Sequence, residues 1–204
     1  MRPRRPDPTV AAEAELVTRA RDGEEAAFVA LAERHQATML RLAAAFVPSP
    51  AVAEEVVQDT WVAVLRGIDG FAGRSSFKTW LLAILVNRTK SAGMSEARSL
   101  PIGDAGPAVD RSRFDAGGAW ASPPHHWVEE SEDRLIAAGL RTRLESALRR
   151  LPSRQRAIVI LRDVEGLDSD EVCGILDITA GNQRVLLHRA RGQLRAAVEE
   201  FVEP

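Results

Sequence analysis

The 204-residue sequence predicts an all-α fold, with two small helical domains joined by a long irregular linker. Three observations carry that expectation. Apolar residues recur at helical spacing on both sides of the chain. No segment shows a convincing period of two. Between them, residues 99–132 hold Pro101, Pro107, Pro123 and Pro124 with Gly103, Gly106, Gly117 and Gly118, and keep no period at all. A stretch of that length is too long for an ordinary loop inside a compact domain. The expected organisation is a flexible start over 1–12, a first domain over 13–98, the linker over 99–132 and a second domain over 133–204.

The elements follow in order. Glu13–Arg21 is a short helix ending at the turn dipeptide Asp22-Gly23. Glu24–Phe46 carries Phe28, Leu31, His35, Met39 and Leu42 on one face, and Pro48 stops it. Ser49 supplies an N-cap and Pro50 a first-turn proline. The helix they start runs to about Arg66, with Val52, Val56, Val57, Val64 and Leu65 available to a core. Gly67–Gly73 breaks the pattern. Ser75 or Ser76 caps a helix from Phe77 to about Ala92, with Trp80, Leu81, Ile84 and Leu85 inward. In the second domain, Asp133–Arg150 is amphipathic through Leu135, Leu140, Leu144 and Leu148. Leu151-Pro152 opens a helix through about Val164, ended by Gly166. Asp168 with Glu171 has the form of a capping box for a short helix to Leu176. Thr179 caps a last long helix to about Val202.

Composition narrows the function classes. Hydrophobic residues at 45% and charged residues at 27% exclude wholesale disorder. Leu81–Val86 is the longest apolar candidate, far short of the roughly 18 residues a membrane span needs. Arg2, Arg4 and Arg5 are followed by no apolar stretch, so a secretory leader and membrane insertion are not expected. Cys173 is the single cysteine, so no intrachain disulfide can form, and a cytoplasmic location fits. The net charge of −2 hides an uneven distribution: +1 over 1–98, −5 over 99–133 and +2 over 134–204.

Two constellations carry candidate chemistry. A short helix, a tight turn at Asp177-Ile178 and a second helix form a helix-turn-helix pattern, with Val172, Ile175, Leu176 and Ile178 as its internal contact. From Thr179 to Arg195 the chain has Arg184, Arg189, Arg191 and Arg195 and no acid. Asn182, Gln183 and Arg184 at the start of that helix have side chains suited to base edges, since amides pair with adenine and guanidinium with guanine. The plain alternative is a solvated basic face. The second constellation runs from Arg74 to Arg98 with Lys78, Arg88 and Lys90, near Trp61, Phe71, Phe77 and Trp80. Cations beside aromatic platforms suit single-stranded nucleic acid, although aromatics at helical spacing are more often core. His125-His126, His35 and Cys173 match no zinc spacing, and no cofactor or catalytic motif is found. Trp120 and Trp127 are unexplained in so polar a linker.

Two blocks of residues carry a family resemblance. Glu54-Glu55-Val56-Val57-Gln58-Asp59-Thr60-Trp61, Phe71 through Leu81, and Val86-Asn87 resemble region two of bacterial sigma factors. Leu151-Pro152, Gln155-Arg156, Leu161 through Leu167, Glu171-Val172 and His188-Arg189-Ala190-Arg191 resemble region four. With only these regions and a tether, the chain resembles the extracytoplasmic-function (ECF) branch. The resemblance implies a dissociable, non-enzymatic subunit of RNA polymerase that directs promoter recognition, melting and initiation, with an anti-sigma factor as a further partner. Glu54, Glu55, Gln58 and Asp59 would meet the β′ clamp helices, and region four would sit on the β flap. Gly73, Arg74, Ser75, Ser76, Phe77 and Asn87 would capture the opened non-template strand of the −10 element, with Arg88 and Lys90 on its backbone. Asn182, Gln183, Arg184, Val185, His188, Arg189 and Arg191 would meet the −35 duplex. Gln183 stands where the family usually places an inward apolar residue. A stand-alone helix-turn-helix regulator leaves the Glu54–Asp59 helix and the second basic block unexplained. A protein-interaction adaptor would bind neither promoter nor polymerase.

Overall fold

Ser49 and Pro50 show how local chemistry sets the helix boundaries. The Ser49 hydroxyl accepts a hydrogen bond from the Val52 N–H at 3.3 Å. Pro50 takes the first helical position, where its missing N–H has no intrahelical partner to lose. In a computed structural model, residues 8–91 and 132–202 are described. They form α1 (Pro8–Arg21), α2 (Glu25–Ala43), α3 (Pro50–Gly67), α4 (Phe77–Ser91), α5 (Glu132–Arg150), α6 (Ser153–Val159), α7 (Ser169–Leu176) and α8 (Ala180–Val202). No strand occurs among the described residues, in keeping with the all-α expectation. Helix α1 begins at Pro8, inside the stretch expected to be flexible, because proline is well suited to a first helical turn. Most of the linker, with Trp120, His125, His126 and Trp127, lies outside the described residues.

Helices α1 to α4 enclose a core in which Leu31, Met39, Leu42, Val57, Val64, Leu81, Leu82 and Leu85 are fully buried. The expected stripe on α2 faces that core, with Phe28 at its edge packed edge-on against Trp61 at 5.6 Å. Polar ties hold α1 in place. Glu13 bonds the buried His35 ring at 2.9 Å. Arg21 donates to the carbonyls of Ile68, at 2.9 Å, and Phe71, and its guanidinium lies 5.8 Å from the Phe71 ring centre. Leu65 departs from the expectation: its side chain is 60% exposed, because α3 buries only the face carrying Val56, Val57, Thr60 and Val64.

In the second half, α6 runs into a π turn over Ile160–Val164, closed by the Glu165 N–H on the Ile160 carbonyl at 2.9 Å. Gly166 follows with φ +69°, a left-handed conformation that glycine adopts without steric cost. The capping box of α7 is complete: the Glu171 N–H donates to Asp168 at 2.8 Å, and the Asp168 N–H donates back to Glu171 at 3.1 Å. Asp177 ends α7 in the left-handed region at φ 55°, which short polar side chains tolerate better than most. Thr179 then accepts from the Asn182 N–H at 3.2 Å and starts α8. Gly139 lets α5 lie against the ring of Phe201, which a Cβ would approach to 3.0 Å.

The two halves are in contact. Helix α4 packs along α7, and the π turn packs on α2. This explains why α4 is apolar on more than one side: Leu81, Leu82, Leu85 and Val86 are all buried.

Leu81→Ala removes a fully buried side chain from the first bundle. It is expected to lower stability by about 2–5 kcal/mol. Asp168→Ala, which removes a cap at the surface, is expected to cost about 1 kcal/mol. Chemical denaturation of both variants measures the difference, and equal losses would contradict this ranking.

Candidate nucleic-acid interface

The first surface lies on α3. Glu54, Glu55, Gln58 and Asp59 are all exposed, on the side opposite the buried Val56, Val57 and Thr60. The same exposed side continues to Val62, at 46% exposure, and Leu65, at 60%. These two apolar residues escaped the sequence reading, which placed Leu65 in the core. The signal was available, because Gln58, Val62 and Leu65 follow one another at helical spacing.

The second surface is the turn before α4 and the helix itself. Gly73 has φ +65° and bends the chain; Arg74 and Ser75 beside it are exposed. Ser76 caps α4, accepting from the Thr79 N–H at 3.1 Å and pairing with the Thr79 hydroxyl at 2.7 Å. Phe77 departs from the expectation. It is only 3% exposed, between the Phe71 and Trp80 rings, both centred 5.8 Å away, and near His35. It supports the turn from below and offers no face to a base. Trp80 joins the same aromatic cluster, as expected of a supporting residue. Further along α4, Asn87 is exposed, while Arg88 and Lys90 are half-buried. The Nε of Arg88 is buried without a hydrogen-bond partner.

The third surface is the start of α8. Asn182, Arg184, Val185 and Arg189 are exposed, and His188 is half-buried. Residues 182, 185 and 189 share one side of the helix, and 184 and 188 lie together on the adjoining side. Gln183 turns the other way. It is 2% exposed, and its side-chain oxygen accepts from the Ser169 hydroxyl at 3.0 Å across the helix-turn-helix. Arg191 is also engaged internally, donating to both Asp163 oxygens, from Nε at 3.1 Å and from Nη2 at 2.5 Å. Cys173 is half-buried. Among the described residues no three His, Cys, Asp or Glu side chains gather as a metal site.

The densest polar cluster joins the two halves, and the sequence reading did not find it. The Glu165 side chain is 7% exposed. It receives the Thr38 hydroxyl at 3.0 Å, Arg41 Nη2 at 2.7 Å and Lys78 Nζ at 2.8 Å. Burial alone would raise its pKa. The hydrogen bonds from Arg41 and Lys78, the Lys78 charge and the Thr38 hydroxyl outweigh burial and hold the carboxyl below its ordinary value. Beside it, the Thr79 hydroxyl donates to Glu171 at 2.6 Å, and Arg156 reaches the Ala44 carbonyl at 3.3 Å.

The matches to known proteins follow the same division. Residues 31–98 match the family described as Sigma-70 region 2, and residues 141–194 match Sigma-70, region 4. The ECF RNA polymerase sigma-E factors of Salmonella typhimurium and Escherichia coli are each 31% identical over 189 residues, covering 93% of both chains. The chain belongs to the ECF branch of the sigma-70 family. The sigma-E factor of Haemophilus influenzae is 28% identical, over 92% of this sigma factor and 95% of that chain. Among solved structures, CnrH in complex with the cytosolic domain of CnrY has the same fold, with TM-score 0.59 at 23% identity over 93% of this chain and 98% of that one. The sigma factor RpoE of Bartonella quintana, in complex with the anti-sigma factor NepR, gives TM-score 0.50 at 20% identity, over 83% and 96% of the two chains. Sigma-70 proteins are non-catalytic initiation factors. No described helix of this sigma factor is long and apolar enough to cross a membrane.

Gln183 therefore acts on the α8 surface from behind. Gln183→Leu keeps the volume and removes the bond to Ser169. It is expected to shift promoter preference while leaving the melting temperature within a few degrees. A variant that reads the same promoters with the same ranking would show that this hydrogen bond does not orient the helix.

Proposed function

We propose that the three exposed surfaces divide the work of an alternative sigma factor among them. The α3 face of Glu54, Glu55, Gln58 and Asp59 takes the β′ clamp helices of core RNA polymerase, with Val62 and Leu65 as its apolar extension. The turn of Gly73, Arg74, Ser75 and Ser76, with Asn87, Arg88 and Lys90, takes the non-template strand of the −10 element. Flipping a base out of the stack costs a few kcal/mol, which a preformed pocket with cationic contacts offsets without nucleotide hydrolysis. The α8 surface of Asn182, Arg184, Val185, His188 and Arg189 reads the −35 duplex, and the second domain rests on the β flap. Gln183, Phe77 and Arg191 support these surfaces from within. The polymerase performs all catalysis, and the protein acts in the cytoplasm, held in check there by an anti-sigma factor. The segments 13–98 and 133–204 are its two working domains, and 99–132 is the tether between them.

The observation that carries this reading is the arrangement of α7 and α8. A capped helix, a left-handed residue and a second helix present exposed Asn182, Arg184 and Arg189 with no acid on α8 before Glu199. The exposure of Val185, 48%, supports a contact with a thymine methyl.

Selective transcription of genomic DNA by reconstituted holoenzyme, with mapping of RNA starts, tests the whole. New start sites that depend on this protein are expected; unchanged initiation would refute it. Arg184→Ala is expected to lower discrimination at one −35 position by about 1–3 kcal/mol and leave core binding intact. Equal losses in both assays would mean that Arg184 maintains the fold. Open-complex formation should also weaken steeply with salt. Roughly 6–10 phosphate contacts would lower affinity about 10³–10⁵-fold between about 50 and 200 mM. A flat response would contradict the roles given to the cations.

A further inference from the structure

Helix α1 precedes the segment that matches region two, yet two of its side chains converge on the turn before α4. At the carboxyl end of α1, Arg21 reaches the 3₁₀ turn Ile68–Gly70 and the residue after it. Its Nε donates to the Ile68 carbonyl at 2.9 Å, and its Nη2 donates to the Phe71 carbonyl. The Ile68 carbonyl also accepts the Phe71 N–H at 3.1 Å, so both of its lone pairs are engaged. The guanidinium lies 5.8 Å from the Phe71 ring centre. Further back on α1, Glu13 holds the His35 ring at 2.9 Å, and that ring is centred 5.7 Å from Phe77. The backbone of the turn and the aromatic floor beneath it are therefore both tied to α1.

Ala72, Gly73, Arg74 and Ser75 are exposed between two anchors. The far anchor is Ser76, which caps α4 through Thr79. The near anchor is Phe71, and Arg21 fastens it. We propose that Arg21 is a positioning residue for capture of the opened strand: it sets the entry to the reading turn without touching DNA. The proposal rests on the assignment of that turn to the −10 strand. Arginine suits the task better than any other cation. Its planar fork of fixed donors serves two carbonyls at once, whereas a lysine ammonium is a single point charge on a flexible stem. A turn held at one end only samples more conformations, and apparent affinity falls with the fraction that is competent to bind. An exposed arginine beside such a turn would ordinarily be read as a phosphate contact. Here its guanidinium is committed to the backbone of the turn itself.

Two variants of the full-length chain test this. Arg21→Ala removes the anchor, and Arg21→Lys keeps the charge but reaches one carbonyl at a time. In the free protein, tryptic cleavage after Arg74, followed by mass spectrometry, should quicken about tenfold in Arg21→Ala and by a smaller factor in Arg21→Lys. Cleavage after Arg88, inside α4, should stay at the wild-type rate. An unchanged rate at Arg74 would overturn the anchor. If Arg21→Ala speeds cleavage at both sites, Arg21→Lys carries the test, and the same result there would make Arg21 a residue of the bundle and overturn the proposal. In holoenzyme, capture of a single-stranded oligonucleotide with the non-template −10 sequence of a mapped promoter should weaken by matching factors, with affinity for core polymerase unchanged. The slope of log affinity against log salt should keep its wild-type value, whereas Arg74→Ala should lower it by about 0.7, one phosphate contact on a single strand. A reduced slope in Arg21→Ala would make Arg21 a DNA contact and overturn the proposal. Full activity of Arg21→Lys, or a loosened turn with undiminished capture, would overturn it as well. If wild-type holoenzyme captures no strand, the reading of the turn fails, and proteolysis alone still decides whether Arg21 anchors it.

Discussion

A carboxylate withdrawn from water is the constraint around which the two domains are arranged. Glu165 is nearly enclosed and needs other groups to donate to its carboxylate if it is to stay ionised there. Thr38, Arg41 and Lys78 do so from α2 and α4. Breaking a buried ion pair by removing one partner is far more costly than never having formed it. The packing of the domains is therefore fixed most sharply at that point, with the Thr79–Glu171 and Arg156–Ala44 contacts beside it. The backbone prepares that point. The π turn over Ile160–Val164 and the left-handed Gly166 bring Glu165 to the junction between helices.

The same logic of support from within governs the reading surfaces. Phe77 gives up any contact with a base and holds the preceding turn through Phe71 and Trp80. Gln183 gives up the DNA side and ties α8 to the start of α7 through Ser169. Arg191 is held by Asp163 and so joins α8 to the π turn. Each of these residues has a type that nucleic-acid interfaces favour, yet each is turned inward. A recognition surface needs rigid placement as much as it needs donors, and these side chains provide the placement.

Helix periodicity and caps were legible because they depend on neighbours in sequence. Ser49-Pro50, the Asp168–Glu171 box, Asp177 and Thr179 all act within four residues of the backbone they terminate. The exposed acids of α3 were legible for the same reason. What the sequence hid depends on distant partners. Phe77 and Gln183 carry no local sign of which way they face, since one residue's rotation about the helix decides it. Leu65 read as core because its type is apolar, although its spacing from Gln58 and Val62 puts it outside. The Thr38–Glu165 contact spans 127 positions, and only the folded chain brings it together.

The junction between domains differs in kind from either core. The cores are filled by Leu, Ile and Val at full burial and have no reason to open at neutral pH. At the junction, charged and hydroxyl groups meet beside a modest apolar contact, and water can replace each hydrogen bond once the domains part. A junction that can open needs a closed geometry that is well defined without being too stable. Polar contacts suit that need, because they fix a single closed geometry while leaving only a small net free energy against opening. An apolar junction of the same extent would fix the geometry less well and would resist opening more.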